Sequence, residues 1–419
     1  MRFLHAADLH LGLRVTRFGA EVNGRLQEAR LKALEHLIGQ ATARAVDFLL
    51  IAGDLFDDNH VDAATSRRTF ELFESAGRPV YIIPGNHDPM TADSVFARPP
   101  WSLPSAGMVQ LMRNPESIPL PGGTLLPCPL FAKNSFDDPT RWILPRESGD
   151  RGIRIGLAHG SLNERANLPP DDHLIDCHAA DTKGLDYLAL GHWHSPYRLA
   201  DRAGVTRTVY PGVHEPMRFC ENPLTLPSPP GEEGRVRGEF SIGWSAYSNT
   251  TRTDLFSDDG KGRALVVTID SAGAAPVIEE IETGRLQWRD ESYTLRDEEE
   301  LSKLIDELGR RKDQEHQLLR LHLSGTLPAR ALLRLDELDG RLAGGQGGIL
   351  SRYTWAELDT ERLHAEPADL ELQDRSGNGV VRAVYERLKT ESQSSDANSQ
   401  QRARQALLLL YRFTKEAKA

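Results

Sequence analysis

Residues 48–58 read Phe-Leu-Leu-Ile-Ala-Gly-Asp-Leu-Phe-Asp-Asp, and the fold prediction starts from this stretch. Its apolar run is too short for a typical helix and is typical of a buried strand, which here ends in a glycine and three carboxylates. The pattern recurs, because apolar runs at residues 80–84 and 187–190 also lead into a glycine followed by polar side chains. The sequence therefore predicts several strands that present ligand-type residues at their carboxyl ends.

The N-terminal region alternates between strand and helix patterns. A short apolar strand over residues 1–7 precedes Asp8, and a three- and four-residue apolar spacing from Leu26 to Ala41 predicts the helix that leads into residue 48. A second helical pattern over residues 63–75 precedes the strand at residue 80. Parallel pairing with right-handed crossovers follows, so the fold class is α/β and the candidate site lies at the strand carboxyl ends.

Four segments are expected along the chain. The first is a catalytic domain over residues 1–220, which includes a further strand that runs into His159. Residues 221–262 follow as an inserted low-complexity loop that cannot bury a core. Residues 263–370 suggest a small α+β domain, and residues 371–419 a helical segment with a polar linker. The apolar end of that last segment either docks on its own domain or binds a partner.

Composition limits the classes of function. No apolar run approaches the roughly 20 residues of a membrane span, and the N-terminus lacks a signal-peptide pattern, so we expect a cytoplasmic protein with no membrane association. Cys128, Cys177 and Cys220 form no paired motif, which argues against disulfides and a cysteine-bound metal. The net charge of −11 is unfavourable for binding nucleic acid unaided, so bound cations or a partner must supply positive charge.

The polar residues at the strand ends form a candidate metal-binding set. Carboxylate, amide and imidazole ligands without sulfur favour Mn²⁺, with Fe²⁺ or Zn²⁺ as alternatives. The set is too large for one ion, and a carboxylate such as Asp54 can bridge two ions about 4 Å apart. The candidates are Asp8, His10, Asp54, Asn86, His87, His159, His192 and His194.

An ordered set of motifs carries a family resemblance. The motifs are Asp-x-His-x-Gly at 8–12, Gly-Asp-Leu-Phe-Asp at 53–57, Gly-Asn-His-Asp at 85–88, Ala-His-Gly at 158–160 and Gly-His-Trp-His at 191–194. Over residues 1 to about 215 the chain resembles the calcineurin-like metallophosphoesterases, and within them the SbcD-type DNA-repair nuclease subunits. The resemblance implies a metallophosphoesterase β-sandwich core with flanking helices, followed by a small α+β capping domain.

The resemblance also implies roles for individual residues. His87 would face the phosphate and protonate the leaving oxygen, while Asp57 would orient His87. Two ions would lower the pKa of a bound water and polarise the phosphoryl oxygens. One ion would be held by Asp8, His10, Asp54 and His194, and the other by Asp54, Asn86, His159 and His192. His60 and His214 are further cleft candidates, and Trp193 either stacks on a base or fills the core.

Three functions fit these observations. The first is two-metal hydrolysis of DNA phosphodiesters in DNA repair, by an exonuclease with single-strand endonuclease activity that works with an SbcC-like coiled-coil ATPase and could form a homodimer. The second is a phosphoesterase for a nucleotide or another small phosphate ester, which suits the acidic charge. The third is a structural subunit that binds DNA ends and whose catalysis is vestigial.

Overall fold

The structure is a computed structural model that describes most of the chain. Among the described residues, one compact unit holds residues 1–218 and 260–287, and a second holds Phe219 and the residues from Trp288 onward. The expected insertion lies outside the described residues up to residue 259. The described residues are 1–102, 107–164, 171–219, 260–332, 334–340, 347–365 and 379–392, and beyond these 396, 399, 402, 403, 406, 407 and 410.

The first unit is built mainly from strands. In chain order they are β1 (Arg2–Ala6), β2 (Phe48–Ala52), β3 (Val80–Ile83), β4 (Val109–Leu111), β5 (Ile118–Leu120), β6 (Gly123–Pro127), β7 (Ile153–His159), β8 (Tyr187–Gly191), β9 (Tyr197–Ala200), β10 (Thr206–Tyr210), β11 (Arg263–Thr268) and β12 (Val277–Glu282). They form two six-stranded sheets, with the orders β12-β11-β1-β2-β3-β4 and β5-β6-β7-β8-β10-β9.

Both sheets have a parallel centre. β1, β2, β3 and β4 pair in parallel in the first sheet, and β6, β7, β8 and β10 do so in the second. Helices α1 (Ala20–Ala43) and α2 (Ala63–Glu74) provide the crossovers of the first sheet, as the sequence predicted. The short helix α3 (Ala179–Lys183) precedes β8. Parallel neighbours bring their carboxyl ends to one edge of each sheet.

The two sheets pack face to face around one apolar layer. Phe3 of β1 stacks on Phe48 of β2 with ring centroids 5.2 Å apart, and it meets Tyr187 of β8 edge to face at 5.5 Å. Leu50 and Leu157 are fully buried in the same cluster. On the other face of the first sheet, buried residues of α1 and β2 share a second cluster, so the expected sandwich with flanking helices is confirmed.

The structure corrects the domain boundary expected at residue 263. β11 pairs antiparallel with β1 and β12 pairs with β11, so both strands complete the first sheet. The sequence shows these strands only as β-rich segments and cannot show their pairing partner, which lies more than 250 residues away. The described residues of the second compact unit therefore begin, apart from Phe219, at Trp288.

The second unit contains a smaller sheet. Its strands β13 (Gln287–Leu295), β14 (Gln317–Leu327) and β15 (Trp355–Ala365) pair in that order, and the helices are α4 (Glu298–Arg310), α5 (Ala329–Leu332), α6 (Leu335–Asp339) and α7 (Gly379–Glu391). Leu304 and Leu308 of α4 pack with Leu319 and Leu321 of β14 in one buried cluster. This agrees with the expected α+β character. No helix in the described part of the chain is long and apolar enough to cross a membrane.

Candidate metal centre

Loops at the carboxyl ends of β1 and β2 run side by side. The backbone N–H of Asp8 donates to the carbonyl of Gly53 at 3.2 Å, and that of His10 donates to the carbonyl of Asp54 at 3.0 Å. Asp8, His10, Asp54 and His192 adopt positive φ angles of 54°, 43°, 48° and 110°. This backbone region is uncommon for non-glycine residues, and such strain is concentrated at functional sites. The loops are therefore shaped to place side chains rather than to relax the backbone.

Two glycines allow the strand ends to approach closely. A Cβ atom at Gly53, whose φ is +83°, would collide with the ring of His159. A Cβ atom at Gly85 would collide with Oδ1 and the backbone nitrogen of Asp54. The glycines that precede these motifs thus serve close packing, which only a residue without a side chain permits.

One group of ligand atoms gathers around His10. Asp8, His10 and His194 each offer an atom within 4.8 Å of the others. Nε2 of His10 lies 3.2 Å from Nε2 of His194 and 3.6 Å from Oδ2 of Asp54. Two imidazole nitrogens that face each other beside carboxylates form a donor set suited to a divalent cation.

A second group lies on the other side of Asp54. Oδ2 of Asp54 is 3.4 Å from Nε2 of His159, and the same nitrogen is 2.7 Å from Oδ1 of Asn86. Nδ1 of His192 approaches that amide oxygen at 3.0 Å. The structure thus brings all seven predicted ligands together, with Asp54 between the two groups. The residues fit a pair of divalent ions, because the donors are nitrogen and oxygen and face one another at short range.

The pKa values of several buried residues in the centre are strongly shifted. Burial raises the pKa of Asp8 well above its usual value. Burial also opposes ionisation of Asp54, but the charges of His159 and His10 outweigh it and hold the pKa of Asp54 well below its usual range. Burial disfavours the charged form of His159 as well, yet Asp54 and then Asp8 raise its pKa to about 9. A cation bound at this centre would compete with the protons on these groups.

His87 lies beside the centre with an accessible ring. Its side chain is 37% exposed, its ring meets that of His10 edge to face at 4.7 Å, and its backbone N–H donates to Oδ1 of Asp54 at 2.9 Å. His87 also falls within ligand distance of His10 and Asp54. The geometry therefore permits His87 to act either as a metal ligand or as a general acid. Measuring the metal content of His87→Ala distinguishes these two roles.

The position of Asp57 differs from the expected one. Its carboxylate Oδ1 lies 3.2 Å from Nδ1 of His10 and 4.0 Å from Nδ1 of His87. The partner of His87 is instead the backbone carbonyl of Asp57, which accepts from Nδ1 at 2.8 Å. Spacing along the chain indicated that Asp57 lies near His87 but not which of its atoms makes the contact.

Two buried or half-buried acids were missed as supporting residues. The Asp88 carboxylate accepts the backbone N–H groups of Gly85 and Phe56 at 2.7 and 2.9 Å, and burial followed by the charge of Asp54 raises its pKa to about 7. Its place in the Gly-Asn-His-Asp motif was the available signal. Asp172 approaches His192 at 3.2 Å, and no sequence pattern marks it.

The remaining candidates lie apart from the ligand groups. The His60 side chain is 86% exposed, whereas His214 is fully buried with Nε2 3.0 Å from the backbone carbonyl of Arg30. Burial lowers the pKa of His214 to about 3, so its ring is neutral. Trp193 is half-buried and stacks on Tyr210 with centroids 4.6 Å apart, so it packs in the protein rather than forming an open platform.

Comparisons with known proteins agree with this geometry. Residues 1–196 match the family model described as calcineurin-like phosphoesterase. The chain is 27% identical over 237 residues to the uncharacterized metallophosphoesterase YhaO of Bacillus subtilis (strain 168), covering 51% of this chain and 52% of that protein. It is 27% identical over 244 residues to the DNA double-strand break repair protein Mre11 of Methanopyrus kandleri, covering 53% of this chain and 50% of that protein. The chain thus spans about half the length of these two relatives.

A longer alignment reaches beyond the first unit. The chain is 24% identical over 407 residues to the DNA double-strand break repair protein Mre11 of Archaeoglobus fulgidus, covering 90% of this chain and 77% of that protein. The matched family model spans the strand ends that carry the buried histidine and aspartate cluster. Residues 1–196 therefore resemble a calcineurin-like phosphoesterase domain, and the chain is distantly similar to Mre11 and YhaO.

Proposed function

We propose that the protein hydrolyses DNA phosphodiesters with two bound divalent ions, as an exonuclease that also cuts single strands, in DNA repair. The observation that carries the proposal is the alignment with the Archaeoglobus protein, whose name specifies double-strand break repair and which matches 90% of this chain. Similarity over that length includes the second unit and is not confined to the metal centre.

The proposed ligand assignment follows the two groups of atoms around Asp54. Asp8, His10, Asp54 and His194 would hold one ion, and Asp54, Asn86, His159 and His192 the other. Mn²⁺ suits these oxygen and imidazole donors best, with Fe²⁺ or Zn²⁺ as alternatives. The bound pair would lower the pKa of a water molecule and polarise the phosphoryl oxygens.

We assign the proton-transfer role to His87. Its Nδ1–H donates to the Asp57 carbonyl, which turns Nε2 away from that contact and leaves it available to the phosphate ester. The ring is more exposed than those of His10 and His159, which are fully buried. A protonated Nε2 would give its proton to the leaving oxygen, a contribution worth roughly 10²- to 10⁴-fold in rate.

The proposal includes partners. DNA carries a dense negative charge, and a chain with a net charge of −11 needs a source of positive charge beyond its own side chains. We propose an SbcC-like coiled-coil ATPase as that partner, with a homodimer as a further assembly. Mixing the two purified proteins and measuring DNA binding at two salt concentrations tests this part.

The experiment separates metal binding from hydrolysis. Mn²⁺-dependent release from 3′-labelled single- and double-stranded DNA is compared in the wild type, His87→Ala and Asp54→Ala, with metal content measured in each. We expect His87→Ala to keep its metal and lose hydrolysis by at least about 10²-fold, and Asp54→Ala to lose both. His60→Ala is the control, because it removes an exposed histidine.

One further function has its own support. The acidic charge favours a small phosphate ester as the substrate, since a small ester needs no extended basic surface. Simple phosphate mono- and diesters are therefore assayed beside DNA. Rapid monoester turnover with uncut DNA would overturn the nuclease proposal, and a metal-free His87→Ala variant would overturn the role of His87.

A further inference from the structure

Three histidines of the centre have a protein oxygen beside their second ring nitrogen, but the ring nitrogen concerned is not the same in each. His10 and His159 turn Nε2 toward the other ligands and use Nδ1 for support, from the Asp57 carboxylate at 3.2 Å and the Ala52 carbonyl at 2.8 Å. His192 is reversed, since Nδ1 faces Asn86 at 3.0 Å and Nε2 lies 3.2 Å from Oδ1 of Asp172. Nε2 of His192 is buried and makes no hydrogen bond of normal geometry among the described residues, which leaves Asp172 beside it as the candidate acceptor.

Asp172 is itself held by a chain of hydrogen bonds. The Ser161 hydroxyl donates to Oδ2 of Asp172 at 2.6 Å, and Nε1 of Trp193 donates to that hydroxyl oxygen at 3.0 Å. A hydroxyl has one proton to donate and lone pairs to accept, so Ser161 satisfies both neighbours at once. The backbone of Asp172 also bridges to Ser135. The carboxylate is thus fixed from two sides before it meets His192.

The same network gives a role to Trp193, which lies between the predicted ligands His192 and His194 in the sequence. Its indole stacks on Tyr210, whose hydroxyl donates to the Gly160 carbonyl at 2.7 Å. Gly160 and Ser161 directly follow His159 in the chain. Residues that follow the ends of β7 and β8 therefore hold Asp172, which itself lies on neither strand.

We infer that Asp172 is a positioning residue for His192. The Asp172 carboxylate accepts the Nε2–H of His192 and so fixes the tautomer whose lone pair is on Nδ1. This contact also turns Nδ1 of His192 toward the centre. A second partner of this kind sets which ring nitrogen binds a metal, and its loss costs roughly 10- to 100-fold in metal affinity. The inference rests on the proposed assignment of His192 as a ligand, and it adds a residue and an orientation to that assignment.

The test uses the full chain, stripped of metal and titrated with MnCl₂. We expect Asp172→Ala to bind one Mn²⁺ as the wild type does and the other roughly 10- to 100-fold more weakly. Asp172→Asn should lose less affinity, because the Asn oxygen can still accept the Nε2–H. Ser161→Ala should show a smaller loss of the same kind and replaces the Asp172 variants if they do not fold.

A second readout does not depend on metal or catalysis. Nitrogen-15 NMR of the metal-free protein reports which ring nitrogen of His192 carries the proton. We expect a single tautomer in the wild type and a mixture in Asp172→Ala. Asp171→Ala is the matched control, since it removes the neighbouring carboxylate while the Asp171 carbonyl still accepts from the Ser135 N–H at 2.8 Å.

Three outcomes would overturn the inference, two of them in Asp172→Ala. One is wild-type affinity for both ions in Asp172→Ala, and the other is an unchanged His192 tautomer in that variant. Equal weakening in Asp171→Ala would also count against it, because the effect would then reflect general charge. Neither measurement uses DNA, so a failure to cleave DNA would count against the proposed function alone.

Discussion

Asp57 serves two histidines through different atoms. Its carboxylate holds His10, a candidate ligand, and its backbone carbonyl holds His87, the candidate acid. Removing the side chain therefore removes the first contact and leaves the second in place. The two roles of this residue can be separated by a single substitution.

We predict that Asp57→Ala weakens Mn²⁺ binding roughly 10- to 100-fold, because His10 loses the acceptor that fixes its ring. At saturating Mn²⁺ the pH dependence of hydrolysis should stay as in the wild type, since an alanine carbonyl still accepts from His87. Metal titration and a pH–rate profile measure the two effects. Asp58→Ala, which removes an exposed carboxylate, is the control. Unchanged affinity with a shifted pH profile would show that the carboxylate acts on His87.

At the scale of elements, α1 supports the loop that carries Asp8 and His10. Arg30 of α1 is almost fully buried and donates to the Leu9 carbonyl at 2.9 Å and to the carbonyls of Glu215 and Pro216 at 3.3 Å. Burial lowers its pKa to about 10, which leaves the guanidinium charged at neutral pH. Burying a cation without hydrogen bonds would cost free energy, and these three carbonyls offset that cost for the Arg30 guanidinium. The helix thus fixes a loop as well as covering the sheet.

The carboxyl ends of β2 and β3 lie in close contact at Gly85 and Asp54, and this contact can be tested. Gly85→Ala should abolish Mn²⁺ binding, because its Cβ would displace the Asp54 carboxylate and backbone. The control is Gly24→Ala on the exposed face of α1, where a Cβ meets open space and where alanine should raise helix stability by up to about 1 kcal/mol. Metal titration and thermal unfolding of both variants check this. Normal metal affinity in Gly85→Ala would contradict the packing argument.

In the molecule as a whole, the first sheet is completed by β11 and β12, which come more than 250 residues after β1 in the sequence. Beyond these strands, the backbone N–H groups of Arg285 and Leu286 donate to the buried Glu215 carboxylate at 2.5 and 2.9 Å. Burial raises the pKa of Glu215 to about 7. The first unit therefore depends on residues up to Gln287.

A pair of truncations tests this boundary. A chain ending at Gln287 should fold and take up Mn²⁺, whereas one ending at residue 262 should aggregate, since it lacks the strand that pairs with β1 and exposes that edge. Size-exclusion chromatography and metal analysis distinguish the two. Equal solubility and metal uptake in the shorter chain would show that β11 is dispensable.

The amino-acid sequence was enough to predict the fold class, which the structure confirms, and the candidate ligands, which the structure brings together. Apolar runs that end in Gly-Asp, Gly-Asn-His and Gly-His-Trp-His are local patterns, and parallel strands bring such ends together whatever the details of packing. Only the folded chain shows which atom of Asp57 meets each histidine, that Asp172 lies beside His192, and that residues 263–282 belong to the first sheet. These features depend on contacts between residues distant in the chain, and neither spacing nor periodicity encodes such contacts.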